Sequence, residues 1–414
     1  MSKRLAFFSL FASLAFIFAS CTPGKKQDPY VLLISFDGFR HDYVAKYQPP
    51  HFLDFIKEGT SAKAMIPSFP SKTFPNHYTI VTGLCPGHHG LVDNTFYDPA
   101  RKVEYSMGKR ELVEDAYYYG GTPLWQLAQQ QGLKSASYFW VGSEAPVAGS
   151  YPDYYEIYDG AVPNEDRIEK VMEWLQLPEA ERPRFISLYF SLVDSEGHDS
   201  GPNSEKLKTT VFEADRLLGL IDTKIAALNL PVDIIITSDH GMYEMKESPE
   251  TFVYLDNLFA PEDSIQIASS GAVVHVYEED SLTREKLFQQ LTENETFYST
   301  YRKLETPERW HYREHPRVGD LVLVVEPGHY FRNGSRDTTK AMMDSPWGVH
   351  GFDPYVTPEM GAIFYAKGPN VKKGLEIDAF NNVHVYPFIA RILGLKTPEN
   401  IDGKREVLEN VYVE

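Results

Sequence analysis

Cysteine is nearly missing from this 414-residue chain, which has two, Cys21 and Cys85. Positive charge is also scarce: 40 Lys and Arg face 58 Asp and Glu, a formal net charge of -18. That balance argues against a groove for a nucleic-acid polymer, because phosphate polymers are held by Lys and Arg. It leaves small anionic substrates open, since bound divalent cations would dominate the local field. No apolar stretch is long enough to read as a spanning helix. The run at 5–19 falls short of the ~20 residues that one needs. No repeat or low-complexity segment stands out, and the length allows about two or three domain-sized units.

The first residues read as a secretory signal rather than as part of the fold. Lys3 and Arg4 precede the short apolar run, which closes on Phe18-Ala-Ser-Cys21. A small-residue pair directly before a cysteine resembles the cleavage box of bacterial lipoproteins, with Phe18 where Leu is usual. By that resemblance Cys21 carries lipid and becomes the mature N-terminus. The expected product is an exported, membrane-anchored lipoprotein of the bacterial cell envelope. Cys85 is then the one remaining thiol, and no internal disulfide can form. Residues 1–20 are expected as signal peptide, 21–29 as a polar tether, and 30–414 as the catalytic domain.

The body alternates strand and helix patterns. Apolar strands are expected at 31–37 (VLLISFD), 135–140, 185–194 (FISLYFSLVD), 232–240 (VDIIITSDH) and 361–366. Helices are expected at 49–59, 75–83, 122–132, 165–177, 204–228 and 383–393. Continuous apolar strands separated by helices imply an α/β fold, a mostly parallel central sheet covered on both faces. Residues 260–330 differ, with alternating runs at 272–277 and 320–325 around a charged helix at 282–291. They read as a small inserted α+β subdomain.

Three of the strand runs end in side chains that bind metals. Asp37 follows the first, Asp194 ends the second with His198 four residues on, and Asp239-His240 end the third. His350 stands in Gly348-Val-His-Gly-Phe-Asp353. Open α/β sheets bind ligands at the carboxyl ends of their strands, so these residues point to one place. Adjacent residues in a strand point apart, so Asp239 and His240 must serve different directions or leave the strand. Oxygen and nitrogen ligands without cysteine suit zinc, with manganese or iron as alternatives. Two ions about 4 Å apart can clamp the attacking and leaving oxygens of a phosphoryl displacement.

The candidate nucleophiles are Thr73 and Ser71, in Pro67-Ser-Phe-Pro-Ser-Lys-Thr-Phe-Pro-Asn-His-Tyr78. Thr73 precedes the helix start expected at Pro75, near unpaired backbone donors, where a hydroxyl beside a metal becomes a plausible alkoxide. A threonine there is also an ordinary helix cap. The residues alone leave both hydroxyls open.

Seven segments in order, Ser35-Phe-Asp-Gly38, Lys72-Thr-Phe-Pro-Asn-His77, Leu91-Val-Asp-Asn94, Tyr138-Phe-Trp-Val-Gly-Ser143, Asp194-Ser-Glu-Gly-His198, Thr237-Ser-Asp-His-Gly-Met242 and Gly348-Val-His-Gly-Phe-Asp353, resemble the nucleotide pyrophosphatase/phosphodiesterase family of the alkaline phosphatase superfamily. The resemblance runs from about residue 30 to 395. It implies two Zn2+ ions, one on Asp37, Thr73, Asp239 and His240 and one on Asp194, His198 and His350. It implies Thr73 as nucleophile, a phosphothreonine intermediate, and Asn94 as donor to a phosphoryl oxygen. Phe74 and Tyr158 match positions that sandwich a nucleotide base, with ordinary core packing as the plainer alternative. Glu144 stands where many relatives have Asp. The implied activity is hydrolysis of nucleotide phosphodiester or phosphoanhydride bonds, releasing nucleoside 5'-monophosphate. A phospholipid or choline-phosphodiester hydrolase and a phosphomonoesterase on the same scaffold are the alternatives. No protein partner is inferable, and no other histidine is assigned to metal, His88-His89 being the most tempting.

Overall fold

A computed structural model describes residues 28–246, 248, 250–260, 265–334 and 346–413. The expected signal peptide, Cys21 as the expected lipid site, and nearly all of the expected tether lie outside the described residues.

Eight strands form the central sheet: β1 (Tyr30–Phe36), β2 (Thr60–Ala62), β3 (Ser135–Tyr138), β4 (Tyr154–Glu156), β5 (Phe185–Phe190), β6 (Val232–Thr237), β11 (Phe364–Lys367) and β12 (Leu375–Ile377). Their spatial order is β12-β2-β11-β6-β1-β5-β3-β4. All pairings are parallel except those of β11, which runs antiparallel to both neighbours. The mostly parallel α/β sheet expected from the apolar runs is therefore present.

Helices cover both faces, and β1 shows why its sequence has no polar alternation. Val31 and Leu33 pack into one core with the helices Thr73–Thr82 and Val385–Ile392. Leu32, Ile34 and Phe36 pack into the other with the helix Glu205–Ala227. A strand buried on both faces must be apolar at both parities.

Between β6 and β11 lies a second sheet, antiparallel, of β7 (Gln266–Ser269), β8 (Val273–Tyr277), β9 (Tyr298–Arg302) and β10 (Leu321–Val325), ordered β7-β8-β10-β9. The helix Ser281–Glu293 accompanies it. Its apolar residues, Val274 and Leu323 among them, join the same core as Val31 and Leu33.

Two differences from the sequence reading bear on the site. The run 185–194 is not one strand: β5 ends at Phe190, Ser191 takes a helical conformation, and Leu192–Ser200 is a helix. Leu192 and Val193 prolong the apolar pattern that suggested a strand, and periodicity cannot separate the two. The helix expected from Pro75 begins at Thr73, with Lys72 in extended conformation before it. Pro75 thus sits inside the first turn, where its missing N–H costs nothing.

Candidate active site

The carboxyl ends of β1, β5 and β6 lie side by side and deliver the acidic and imidazole groups. Asp37 follows β1 directly. Gly38 then turns at φ +67, and a Cβ there would stand 2.8 Å from Asp194 Cα, so only glycine lets the helix Leu192–Ser200 approach. On that helix Asp194 and His198 are one turn apart, and their near atoms are 3.4 Å apart. β6 ends at Thr237, so Asp239 and His240 lie beyond it and both reach inward. His240 Nε2 stands 2.9 Å from Asp239 Oδ2 and 3.6 Å from Asp37 Oδ1. His350 stacks on His240 with ring centroids 3.6 Å apart, and its Nε2 is 3.9 Å from Asp194 Oδ1.

Hydrogen bonds fix how each imidazole presents itself. Nδ1–H of His198 donates to Gly348 O at 2.7 Å, that of His240 to Gly241 O at 2.8 Å, and that of His350 to Ser71 O at 2.8 Å. A carbonyl can only accept, so Nδ1 carries a proton, and in the neutral ring Nε2 is the atom whose lone pair faces the site. Opposite these lone pairs, Asp37 Oδ1, Asp194 Oδ1 and Asp239 Oδ2 are buried and have no hydrogen-bond donor. Buried carboxylate oxygens are rarely left so.

The electrostatics agree. Burial, then the charges of Asp239 and Asp194, raises the Asp37 carboxyl well above the usual range. Asp239 is pushed up to about 8, chiefly by burial. Burial, then His240, holds His350 well below its ordinary value. Neutral imidazoles beside clustered carboxylates are the donor set of a hard or borderline divalent cation, which would reverse the penalty on the acids. Asp194, His198 and His350 are close enough to share one ion, and so are Asp37, Asp194 and His240. Asp37, His77 and Asp239 also meet that distance test. The hydrogen bonds argue against His77 as a ligand: it binds Thr73 O through Nδ1 at 2.9 Å and Ser35 Oγ through Nε2 at 2.8 Å.

Thr73 Oγ1 lies 3.2 Å from His240 Nε2. Ser71 Oγ donates to Phe352 O at 2.7 Å and is fully buried. Asn94 Oδ1 accepts the N–H of Phe74 at 2.9 Å, which orients the amide and leaves Nδ2 as its donating end. Beside Thr73 opens a pocket of about 250 Å³, lined among others by Phe74, Arg110, Glu144, Tyr158 and Tyr189. Glu144 accepts the N–H of Tyr158 at 2.9 Å and pairs with Arg110. His88 and His89 stand apart from the acidic groups. His88 pairs with Asp402, and His89 bonds Thr79 Oγ1 at 3.0 Å.

Sequence reasoning passed over Tyr189, whose hydroxyl bonds Asp37, and gave His77 no role. Tyr189 sits in the run FISLYF, where it reads as one more core aromatic.

The family model described as type I phosphodiesterase / nucleotide pyrophosphatase matches residues 31–353. Human ectonucleotide pyrophosphatase/phosphodiesterase family member 1 is 35% identical over 401 residues, 94% of this chain and 42% of its own. The venom phosphodiesterase of Macrovipera lebetinus is 35% identical over 92% of this chain and 45% of its own. The chain thus spans less than half the length of these curated relatives. Mouse ectonucleotide pyrophosphatase/phosphodiesterase 5 superposes with a TM-score of 0.85 at 31% identity, covering 93% of this chain and all of that one. An inactive threonine-to-alanine variant of the same mouse protein, solved in complex with AMP, matches equally well at 30% identity. With a family model that takes in most of the fold and the segments that bring Asp37, Thr73, Asp194, Asp239 and His350 together, this chain belongs to the type I phosphodiesterase / nucleotide pyrophosphatase family.

Proposed function

We propose that the protein is a two-zinc phosphodiesterase and nucleotide pyrophosphatase that releases nucleoside 5'-monophosphate through a phosphothreonine intermediate. The observation that carries this reading is the convergence of three donorless carboxylate oxygens and three imidazole Nε2 lone pairs beside Thr73 Oγ1. Two zinc ions, one held by Asp37, Thr73, Asp239 and His240 and one by Asp194, His198 and His350, would supply the charge that activates the hydroxyl and the later water and neutralises the leaving oxygen.

The residues of the chain do the rest. Thr73 Oγ1 loses its proton to solvent and forms the bond to phosphorus as the bond to the leaving oxygen breaks, the leaving group departing with that bond's electron pair and taking a proton from solvent where its basicity requires one. Water then cleaves the phosphothreonine bond and restores the hydroxyl. Asn94 Nδ2 donates to a non-bridging oxygen; a neutral amide suits a diester, which carries less charge than a monoester dianion and needs room for its second substituent. Phe74 and Tyr158 hold the base in the pocket beside Thr73. The AMP bound by the mouse relative is in keeping with a nucleotide substrate.

Among the described residues no helix is long and apolar enough to cross a membrane. A lipid on Cys21, a tether to residue 29 and a single catalytic domain carrying the 260–330 insertion complete the proposal, placing the enzyme on the bacterial cell envelope. The test is a panel of an aryl ester of a nucleoside monophosphate, a choline phosphodiester and an aryl phosphate, before and after chelation. The nucleotide diester should be cleaved best, chelation should abolish turnover, and zinc should restore it. Full activity in protein shown by metal analysis to be empty overturns the reading.

A further inference from the structure

The residues on either side of Thr73 are tied, by separate hydrogen-bond paths, to one residue of the insertion, Ser270. On one side, Lys72 Nζ donates to Ser270 O at 2.7 Å and to Tyr330 OH at 3.1 Å, and that hydroxyl itself donates to Ser270 O at 2.9 Å. The lysine stem passes over Gly351, where a Cβ would meet Lys72 Cε at 2.4 Å. On the other side, Ser270 Oγ donates to Asp93 Oδ2 at 2.8 Å. Asp93 Oδ1 accepts the N–H of Asn94 at 2.6 Å, and Asn94 Oδ1 accepts the N–H of Phe74.

Asp93 is fully buried, so the number and direction of its donors decide where it sits. His275 faces it from β8 with Nε2 3.5 Å away. Its Nδ1 accepts the N–H of Gly319 at 3.2 Å, so Nε2 carries the proton and points it toward Asp93 and Tyr312 OH. Ser270 Oγ, a donor to the carboxylate, and His275 Nε2, 3.5 Å from it, both belong to the insertion. Neither touches the metal-type ligands or the base pocket.

We infer that Ser270 is a positioning residue, through which the insertion holds Asn94 and the start of the Thr73 helix in the geometry needed for phosphoryl transfer. This rests on the roles proposed for Thr73 and Asn94. A residue acting on the orientation of a transition-state donor should change kcat more than KM, since its path reaches the base pocket only through the backbone N–H of Phe74. It should also lose its effect once the donor is gone. Placement errors that do not unfold a protein are costly because reacting groups must be held to a fraction of an ångström.

The experiment is a double-mutant cycle on Ser270→Ala and Asn94→Ala, with kcat and KM on an aryl ester of a nucleoside monophosphate, zinc content and melting temperature for each protein. Ser270→Ala should lower kcat about 10-fold, the lower end of what one lost hydrogen bond to a charged group costs. KM and zinc content should stay close to those of the parent, and the melting temperature should fall by about 1–4 °C. On the Asn94→Ala background the same change should lower kcat by less than about twofold, the mark of two residues acting through one path. Ser270→Thr, which keeps the hydroxyl, should recover most of the loss. An equal loss on both backgrounds, a rise in KM with kcat unchanged, or no loss at all overturns the inference. If Asn94→Ala itself leaves kcat unchanged, the proposed role of Asn94 fails instead, and the inference built on it falls with it.

Discussion

Tyr189 donates its phenolic proton to Asp37 Oδ2 at 2.6 Å, leaving Asp37 Oδ1 as the oxygen that has no donor. The contact follows from sheet register, because Tyr189 on β5 lies opposite Ser35 on β1, two residues before Asp37. Groups that orient a metal-binding carboxylate usually affect metal affinity by about 10–100-fold. Tyr189→Phe should therefore weaken zinc retention by that order, read by competition with a chromophoric chelator. Unchanged affinity would mean that the strand alone aims Asp37.

Thr73→Ala should abolish turnover while leaving the fold and most of the zinc, and Thr73→Ser should keep a fraction. Ser71→Ala removes only a bond to Phe352 O. It should cost about 0.5–1.5 kcal/mol of stability and little activity. A lethal Ser71→Ala beside a mild Thr73→Ala, compared in the same assay, would reverse the assignment.

Tyr158 is 42% exposed and lines the pocket beside Thr73, where its ring meets those of Phe139 and Tyr189 at steep angles. Tyr158→Ala should lose about 1–3 kcal/mol of transition-state binding for nucleotide substrates and much less for a diester without a base. Equal losses in kcat/KM on the two substrates would make Tyr158 a structural residue.

His88 Nδ1 lies 2.7 Å from Asp402 Oδ2, and the bond to that carboxylate holds the imidazole above its ordinary pKa. A His raised on folding contributes fully below its unfolded pKa of about 6.5 and loses that contribution as pH rises through the folded value. The pair is partly exposed, so the contribution is about 0.5–1 kcal/mol. His88→Gln should thus lower the melting temperature more at about pH 6 than at about pH 9. Asp402 keeps the N–H of Cys85 at 2.7 Å, so the variant leaves it partnered. A melting difference that widens toward alkaline pH would contradict the pairing.

The strands that end at the site were legible because burial on both faces leaves a continuous apolar signature, seen at 31–36 and 232–237. The clustered Asp and His side chains were legible because such residues at strand ends are chemically conspicuous. β2, β4 and β12 were not, since three residues carry no periodicity. The helix bearing Asp194 and His198 was hidden by two apolar residues that continue the preceding strand pattern. Ser270 was invisible for another reason: its contacts join residues remote in sequence, and nothing local marks a serine as a hub.

The strand that carries Asp37 to the site lies at the centre of the sheet, yet both of its neighbours are encoded far downstream, at 185–190 and 232–237. During synthesis one edge stays open until the chain has passed Phe190 and the other until it has passed Thr237. An apolar strand with open edges pairs readily with the wrong partner. Loops of that length also slow native pairing. The chain therefore spends roughly the first half of its synthesis with an apolar strand incompletely paired, and its yield should depend on holdase chaperones more than its final stability would suggest.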